Sequence, residues 1–220
     1  MQVALKRAVD VVLAVVMLAA VTPLLALLAM AIWVETGTPV LFRAQRLGQG
    51  GRPFAMYKLR SMAAGSDGVL DGLMSSNLAE GMVKIADDPR VTPLGRLLRR
   101  FSLDELPQLW NVLRGDMSLV GPRPHELGEV SLQDDVHARR LTMRPGLTGL
   151  WQVKARTNPS LAARVHYDLE YIAEWSLLLD LAIALETIPV LLRGNGGQIH
   201  PPELSVSKGR LSASENHQAV

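Results

Sequence analysis

From Val11 to Val34 the chain carries no charged residue, and the run is bounded by Asp10 and Glu35. Every position in it is Val, Leu, Ala, Met, Ile, Thr, Pro or Trp. A bilayer core takes about 20 such residues in a helix, so the segment is long enough to enter one. A cleaved signal peptide has an apolar core of roughly 7 to 15 residues and a small-residue cleavage site. Trp33-Val34-Glu35 is no such site, and the segment reads as a retained membrane element. Thr22-Pro23 lies midway along it. A proline there removes an amide donor and clashes with the carbonyl of Ala19, which predicts a kink near Thr22. Cations flank both ends, Lys6 and Arg7 before and Arg43, Arg46 and Arg52 after, so the bias that orients a spanning helix is missing. The pattern fits a re-entrant hairpin with both ends cytoplasmic. A bent spanning helix is the alternative, since spanning helices tolerate proline.

Beyond the apolar run, Val40 to Arg46 and Pro53 to Arg60 are short stretches rich in Val, Phe and Tyr, separated by Gly48-Gln49-Gly50-Gly51. They predict a β-hairpin. Residues 63–88 are rich in Gly, Ser and Asp with weak periodicity, which predicts a variable insertion. Helices are predicted over Pro93 to Arg100, Leu106 to Leu113, Ser131 to Leu141 and Leu161 to Glu174. A second apolar stretch, Leu177 to Leu192, contains Asp180, Glu186 and Pro189 and reads either as a helix lying in the membrane interface or as a buried core helix. After Arg193 the composition turns to Gly, Pro, Ser, Asn and Gln, which predicts a disordered tail over 194–220. The fold class that follows is mainly α with a small β-hairpin. A membrane helix over 1–36 precedes a catalytic domain over 37–193.

At 220 residues the chain suits one domain with a sizeable core. Lys and Arg number 23 against 21 Asp and Glu, a net charge of +2, so nucleic acid is not the expected partner. Three Phe and three Tyr give little material for a base-stacking platform. The absence of cysteine removes disulfides and thiolate chemistry.

Chemistry concentrates between Asp88 and Pro124. Asp104-Glu105, taken alone, is an ordinary solvated helix start, and Ser102 to Glu105 fits a Ser-x-x-Glu capping box. Pro107 favours a cap at Asp104 instead, which would place the proline harmlessly in the first turn. Both alternatives put the two carboxylates at a helix N-terminus, where phosphate is attracted and a carboxyl pKa is lowered. Arg96, Arg99 and Arg100 lie within two turns upstream. An ionised Asp beside cations can attack phosphorus, and a neighbouring Glu can hold a magnesium ion. The Arg cluster reads equally well as a basic face lying on anionic lipid.

These residues resemble the signature of the monotopic polyprenyl-phosphate phosphoglycosyltransferases, the bacterial sugar transferases that start exopolysaccharide, capsule, O-antigen and glycoprotein glycan assembly. The resemblance runs through Lys6-Arg-Ala-Val-Asp10, Tyr57-Lys-Leu-Arg-Ser-Met62, Asp88 to Pro124, Arg144-Pro-Gly-Leu-Thr-Gly-Leu-Trp-Gln-Val153 and Tyr167-Asp-Leu-Glu-Tyr171 to Arg193. It is to the short catalytic form of the family, without a multi-spanning N-terminal region. It implies a monotopic protein of the bacterial inner membrane with interfacial amphipathic helices and its catalytic domain on the cytoplasmic face. It implies that Asp104 attacks the β-phosphorus of a UDP-sugar, that UMP leaves, and that polyprenyl phosphate then takes the phosphosugar in a ping-pong reaction. By the same resemblance Asp104 and Glu105 bind Mg2+, while Arg60, Arg99 and Arg123 contact phosphate or nucleotide. Asp168 completes the polar site, and Thr22-Pro23 is the family's helix-breaking pair.

One departure stands after Gln152-Val153. Many members have a small polar residue followed by Gly-Arg, whereas Lys154-Ala155-Arg156 stands here, so a glycine is absent and a different local loop is expected. The rival reading is a catalytically silent membrane-associated scaffold of polysaccharide assembly, which would need no intact Asp-Glu pair. The Gly149-Leu-Trp-Gln-Val153 wording leans towards glucose or galactose phosphate as cargo. Oligomeric state stays open between monomer and homodimer.

Overall fold

A computed structural model describes residues 2–63, 65–69, 72, 77, 85, 87–127, 135–158 and 160–194. Its first element, α1, runs from Gln2 to Thr36. At about 1.5 Å per residue it is roughly 52 Å long. The expected break at Thr22-Pro23 is not an interruption: the helix continues through Pro23. The hydroxyl of Thr22 donates to the carbonyl oxygen of Leu18 at 2.6 Å, one turn back. The residues on both sides of Pro23 thus belong to one helix, within which a proline can bend the axis.

The hairpin is present as β1 (Leu41–Leu47) and β2 (Pro53–Leu59), antiparallel, with Leu41 opposite Leu59 and Leu47 opposite Pro53. The turn between them reverses at Gly50 and Gly51, both with positive φ, a backbone that glycine adopts without steric cost. Next come α2 (Pro93–Arg100), a 3-10 turn over Leu103–Glu105 and α3 (Gln108–Arg114). Thr92 caps α2 by accepting from the amide of Gly95, with Pro93 in the first turn. The short strands β3 (Ser118–Val120) and β4 (His125–Glu126) follow, then α4 (Asp135–Arg140), β5 (Gly146–Thr148) and α5 (Leu150–Lys154). The chain continues into α6 (Leu161–Glu174) and α7 (Leu177–Leu192). Strand β1 lies between β2 and β4, and β3 pairs with β5 in parallel. No hydrophobic alternation marked β3, β4 or β5, because two or three residues are too few to show a period.

Three helix expectations agree in extent with α2, α6 and α7. The expected Leu106 start is corrected to Gln108, because Pro107 stands just before the helix as its boundary residue. The helix expected over Ser131 to Leu141 is present as Asp135–Arg140, and its first part lies outside the described residues. Of the 63–88 insertion, the described portion includes a 3-10 turn over Ser66–Val69 and an isolated bridge between Asn77 and Ile85. The tail beyond 194 lies outside the described residues.

Helix α1 packs along the rest of the chain rather than projecting from it. Ala14 joins a core with Met56, Leu109, Val112 and Met117, and Ile32 joins another with Leu59 and Leu98. A third core gathers Val120, Leu150, Tyr171 and Ile183. Polar bonds fix both ends of α1. Near its start, Arg7 donates to the carbonyls of Val112 and Leu113 at 2.6 and 2.9 Å, satisfying the end of α3. Asp10 accepts from the Ser118 hydroxyl and the Leu119 amide. Lys6 reaches Asp180 of α7 at 2.6 Å and the carbonyl of Val120 at 3.1 Å. At the other end, Arg60 Nη2 donates to the carbonyl and hydroxyl of Thr36, while Glu35 accepts from the amide of Leu94 at the start of α2.

Burial speaks against the core-helix alternative for Leu177 to Leu192. Only Ile183 of α7 is buried, whereas Leu178, Leu181, Leu185, Ile188 and Leu192 are exposed at helical spacing. This is not a core helix but one with an uncovered apolar stripe. The outward face of α1 is similarly bare, including Val12, Val16, Leu27, Met30 and Trp33.

Space around one glycine holds α2 in place. A Cβ on Gly95 would lie 2.0 Å from the carbonyl oxygen of Ser61, whereas one on Gly68 would meet nothing within 4 Å. Gly95→Ala is expected to lower unfolding stability by about 1 to 3 kcal/mol, with Gly68→Ala close to neutral. Thermal unfolding of the two variants in detergent checks this. Equal midpoints would show that the approach of α2 to Ser61 is not tight.

Candidate active site

The 3-10 turn carrying Asp104 and Glu105 is suspended between α2 and α3 and faces β2. Its geometry begins at Ser102, whose φ is 57°, a left-handed conformation uncommon for any residue but glycine. The Ser102 amide donates to the carbonyl of Arg99, and the Ser102 carbonyl accepts from the amide of Glu105. Ser102 caps nothing with its side chain, and Asp104 stands inside the turn rather than at a helix cap. The capping box and the alternative cap at Asp104 are both corrected: Pro107 occupies the boundary before α3.

Opposite the turn, Lys58 of β2 places its ammonium 2.9 Å from Glu105 Oε1. The register that makes this contact is set by Asn111 of α3, which is wholly buried. Its amide oxygen accepts from the Tyr57 amide at 3.1 Å and its amide nitrogen donates to the Ala55 carbonyl at 2.8 Å. Asn111 thus occupies the hydrogen-bonding edge of β2 and locks the helix after Glu105 to the strand that carries Lys58. On the other flank, Arg99 donates through Nε to the Ser61 hydroxyl at 2.8 Å.

Two further guanidinium groups approach from the C-terminal half. Arg156 donates to the Ser102 hydroxyl at 2.7 Å. Arg123 lies over the ring of Trp151, 5.5 Å from its centre, and its amide donates to Asp168 at 3.2 Å. The loop bearing Arg123 is held by backbones in close approach. A Cβ on Gly121 would lie 2.5 Å from the Arg144 carbonyl, one on Gly146 would lie 2.1 Å from the Gly121 amide, and one on Gly149 would lie 2.2 Å from the Gly121 carbonyl. Side chains at these positions would push β3 and β5 apart.

Burial and charge set the two carboxyls apart. Burial pushes Asp104 above its ordinary value of 3.8; Lys58 pulls it down, the charge on Glu105 adds to the rise and Arg99 pulls it down, and burial prevails. This corrects the expectation that a helix terminus lowers the pKa of Asp104. Glu105 is also penalised by burial, but Lys58, Arg123 and Arg156 outweigh that and hold it at about 2. Burial draws Arg99 down from its usual range while Asp104 and Asp88 oppose the change. The site is therefore an ionised Glu105 beside an Asp104 that retains its proton more readily, ringed by cations.

Of the residues singled out by sequence, Asp104, Glu105, Arg99 and Arg123 come together. Arg60 goes elsewhere. It is buried, its Nη2 closes the C-terminus of α1, and its Nε and Nη1 have no partner among the described residues. Asp168 is enclosed rather than open: Arg140, itself buried, donates to it through Nε at 3.1 Å and through Nη2. Its contact with the site runs through the Arg123 amide. Lys58 and Arg156 were not singled out. Lys58 lies within the Tyr57-Lys-Leu-Arg block, and a lysine on a strand two positions before a favoured arginine was the available signal. Arg156 stood inside the segment read as a departure, and nothing local announces that it folds back to Ser102.

The arrangement can bind and polarise a phosphate ester beside a carboxylate. The family model described as bacterial sugar transferase matches residues 1–194. The chain is 42% identical over 196 residues to the exopolysaccharide production protein ExoY of Sinorhizobium fredii, covering 87% of each chain. It is 46% identical over 195 residues to a UDP-glucose:undecaprenyl-phosphate glucose-1-phosphate transferase of Caulobacter vibrioides, covering 85% of this chain and 69% of that one. It is 41% identical over 200 residues to the undecaprenyl-phosphate galactose phosphotransferase of Salmonella typhimurium, covering 87% of this chain and 41% of that one. The chain thus spans less than half the length of the Salmonella relative.

A stability prediction follows from the Asp104 carboxyl. Its folded-state value lies above 3.8, so the folded form keeps the proton at pH values where the unfolded chain has lost it, and stability falls as pH rises between the two. Asp104→Asn removes that cost. The variant is expected to unfold at a higher temperature than wild type at pH 7, with the gap closing below pH 4. A lower midpoint for Asp104→Asn at pH 7 would contradict this.

Proposed function

The chain belongs to the bacterial sugar transferase family, and from that premise we propose that it transfers a sugar-1-phosphate from a UDP-sugar to polyprenyl phosphate. The observation that carries the proposal is the turn with buried Asp104 and part-buried Glu105, with Lys58, Arg99, Arg123 and Arg156 around it. In this reading Asp104 is the nucleophile. Its carboxylate oxygen bonds to the β-phosphorus of the donor, the bridging bond to the α-phosphate breaks, and UMP departs with the electron pair. The phosphosugar is then held on Asp104 until an oxygen of the lipid phosphate attacks the same phosphorus and frees the carboxylate. The products are polyprenyl-diphosphate-sugar and UMP. Glucose or galactose is the proposed sugar, on the wording of the sequence motif and the names of the relatives.

The charges around the turn fit these steps. Asp104 must be ionised to attack, and Lys58 and Arg99 are the groups that draw its pKa down. Arg99 and Arg123 carry planar forks suited to bidentate phosphate contacts. Among the described residues no group of three or more His, Asp or Glu side chains stands together. Two adjacent carboxylates suit Mg2+ all the same, since that ion is ordinarily held by one or two carboxylates and by substrate phosphates. Asp104 and Glu105 would hold it, and when bound it neutralises diphosphate charge. Glu105, ionised and paired with Lys58, is the residue better prepared to do so.

Membrane attachment rests on α1 and α7. Both ends of α1 are bonded to the same folded unit, Lys6, Arg7 and Asp10 at one end and Thr36 at the other. This supports a monotopic arrangement in which neither end is carried to the far side of the bilayer. The exposed apolar stripe of α7 supports a helix lying in the interface, and the cytoplasmic face is where the nucleotide donor is found. Tags at the two termini are expected to be protected from protease in intact spheroplasts. An N-terminal tag digested from the periplasm would overturn the monotopic arrangement.

The nucleophile is tested by mass. Incubated with UDP-glucose or UDP-galactose and magnesium without lipid acceptor, wild-type protein is expected to gain one sugar phosphate on Asp104. Asp104→Asn is expected to gain nothing, because an amide is a poor nucleophile. Glu105→Gln is expected to form the adduct slowly, more so at low magnesium. An adduct mapped to another residue would reject Asp104. The absence of UMP release from wild type with both donors and a polyprenyl phosphate would leave the scaffold reading in its place.

A further inference from the structure

The Asp104 turn depends on the residue that immediately precedes it. Ser102 is buried, left-handed and bonded in three directions: its amide to Arg99, its carbonyl from Glu105 and its hydroxyl from Arg156. The first two bonds are local and join α2 to the 3-10 turn. The third is the long-range one, reaching 54 positions along the chain to the segment that follows α5. Non-glycine residues hold a left-handed backbone only where the surroundings over-determine it. Here the bond from Arg156 supplies that determination.

We propose that Arg156 is a positioning residue that locks Ser102 in its left-handed turn and so presents Asp104 towards the donor. The inference rests on the reading of Asp104 as nucleophile. Its second component is charge. The Arg156 guanidinium interacts electrostatically with Glu105, Arg123 and Asp104. At Ala155, where a glycine was expected, the backbone has a negative φ of -144°, and the guanidinium of Arg156 arrives at Ser102. Because Arg123 lies over Trp151 of α5, the same short helix carries both the support of Arg123 and the chain leading to Arg156. The loop bearing Arg123 and the Asp104 turn are thus joined through α5.

The two components are separable by substitution. Ser102→Gly keeps a residue that accepts the left-handed backbone but removes the hydroxyl, leaving the Arg156 charge in place. Arg156→Gln removes the charge and the charge-assisted bond together, whereas Arg156→Lys retains a cation and a donor. Adduct formation on the full-length protein with UDP-glucose or UDP-galactose is expected to slow about tenfold or more in Ser102→Gly and in Arg156→Gln. The donor KM is expected to be unchanged, and Arg156→Lys to stay closer to wild type than Arg156→Gln. The double variant is expected to be no slower than the slower single one, as residues acting through one bond are not additive.

Multiplying losses in the double variant, a defect confined to donor KM, or wild-type rates in both single variants would overturn the proposal. Arg156→Gln that does not fold leaves Ser102→Gly to decide it, with thermal unfolding as the control for each. Asp104→Asn in the same assay separates the two readings. An adduct in Asp104→Asn rejects the nucleophile itself, whereas no adduct there and normal rates in the Ser102 and Arg156 series reject only the positioning role.

Discussion

Two adjacent carboxyl groups withdrawn from water, Asp104 and Glu105, impose the constraint that the surrounding structure answers. A buried charge is costly unless cations and donors accompany it. Here they come from separate stretches of chain: Lys58 from β2, Arg99 from α2, Arg123 from the loop after β3 and Arg156 from beyond α5. The answer is unequal. Lys58 contacts Glu105 at 2.9 Å and secures its ionisation, while Asp104 is left with the larger burden of burial. Neighbouring residues of similar chemistry thereby acquire different proton affinities, which is how adjacent carboxyls take different roles.

Bringing those cations together requires that the elements approach closely and in register. Gly95 lets α2 meet the Ser61 backbone, and Gly121, Gly146 and Gly149 let β3, β5 and the start of α5 meet one another. Asn111 supplies what a further strand would otherwise supply along the edge of β2, satisfying a buried donor and an acceptor at once. Arg140 and Asp168 form an enclosed pair from which the Arg123 amide is positioned. The polar contacts made inside this unit fix geometry; the apolar ones, gathered among the described residues in the cores around Ala14, Ile32 and Val120, give it cohesion.

The long helix belongs to this arrangement. Lys6, Arg7 and Asp10 bond to α7, the end of α3 and β3, so the base of α1 bears on the loop that leads to Arg123. Tyr171 and Trp175 join Lys6 at Asp180, which collects three donors. The apolar faces of α1 and α7 left bare by these contacts put an apolar surface on the same body as the polar site. The proposed reaction between a water-soluble nucleotide donor and a lipid phosphate needs both.

Much of the fold was legible in the sequence. The uncharged run of α1, the Gly-separated hairpin and the periods of α2, α6 and α7 are local signals, each contained within one element and bounded by Pro, Gly or a capping Ser or Thr. Asp104, Glu105, Arg99 and Arg123, which the fold brings together, stand in one continuous block of sequence. Tertiary structure alone decided the rest. It paired β3 with β5, whose three residues show no period; it sent Arg60 to the end of α1 and Arg156 to Ser102; it enclosed Asp168 with Arg140; and it carried α1 unbroken through Pro23. It also reversed the expected shift of Asp104. The physical reason is common to all of these: periodicity and turn chemistry act over a few residues, whereas a long side chain's partner and a buried group's proton depend on which distant segments close around it, and on how much water they exclude.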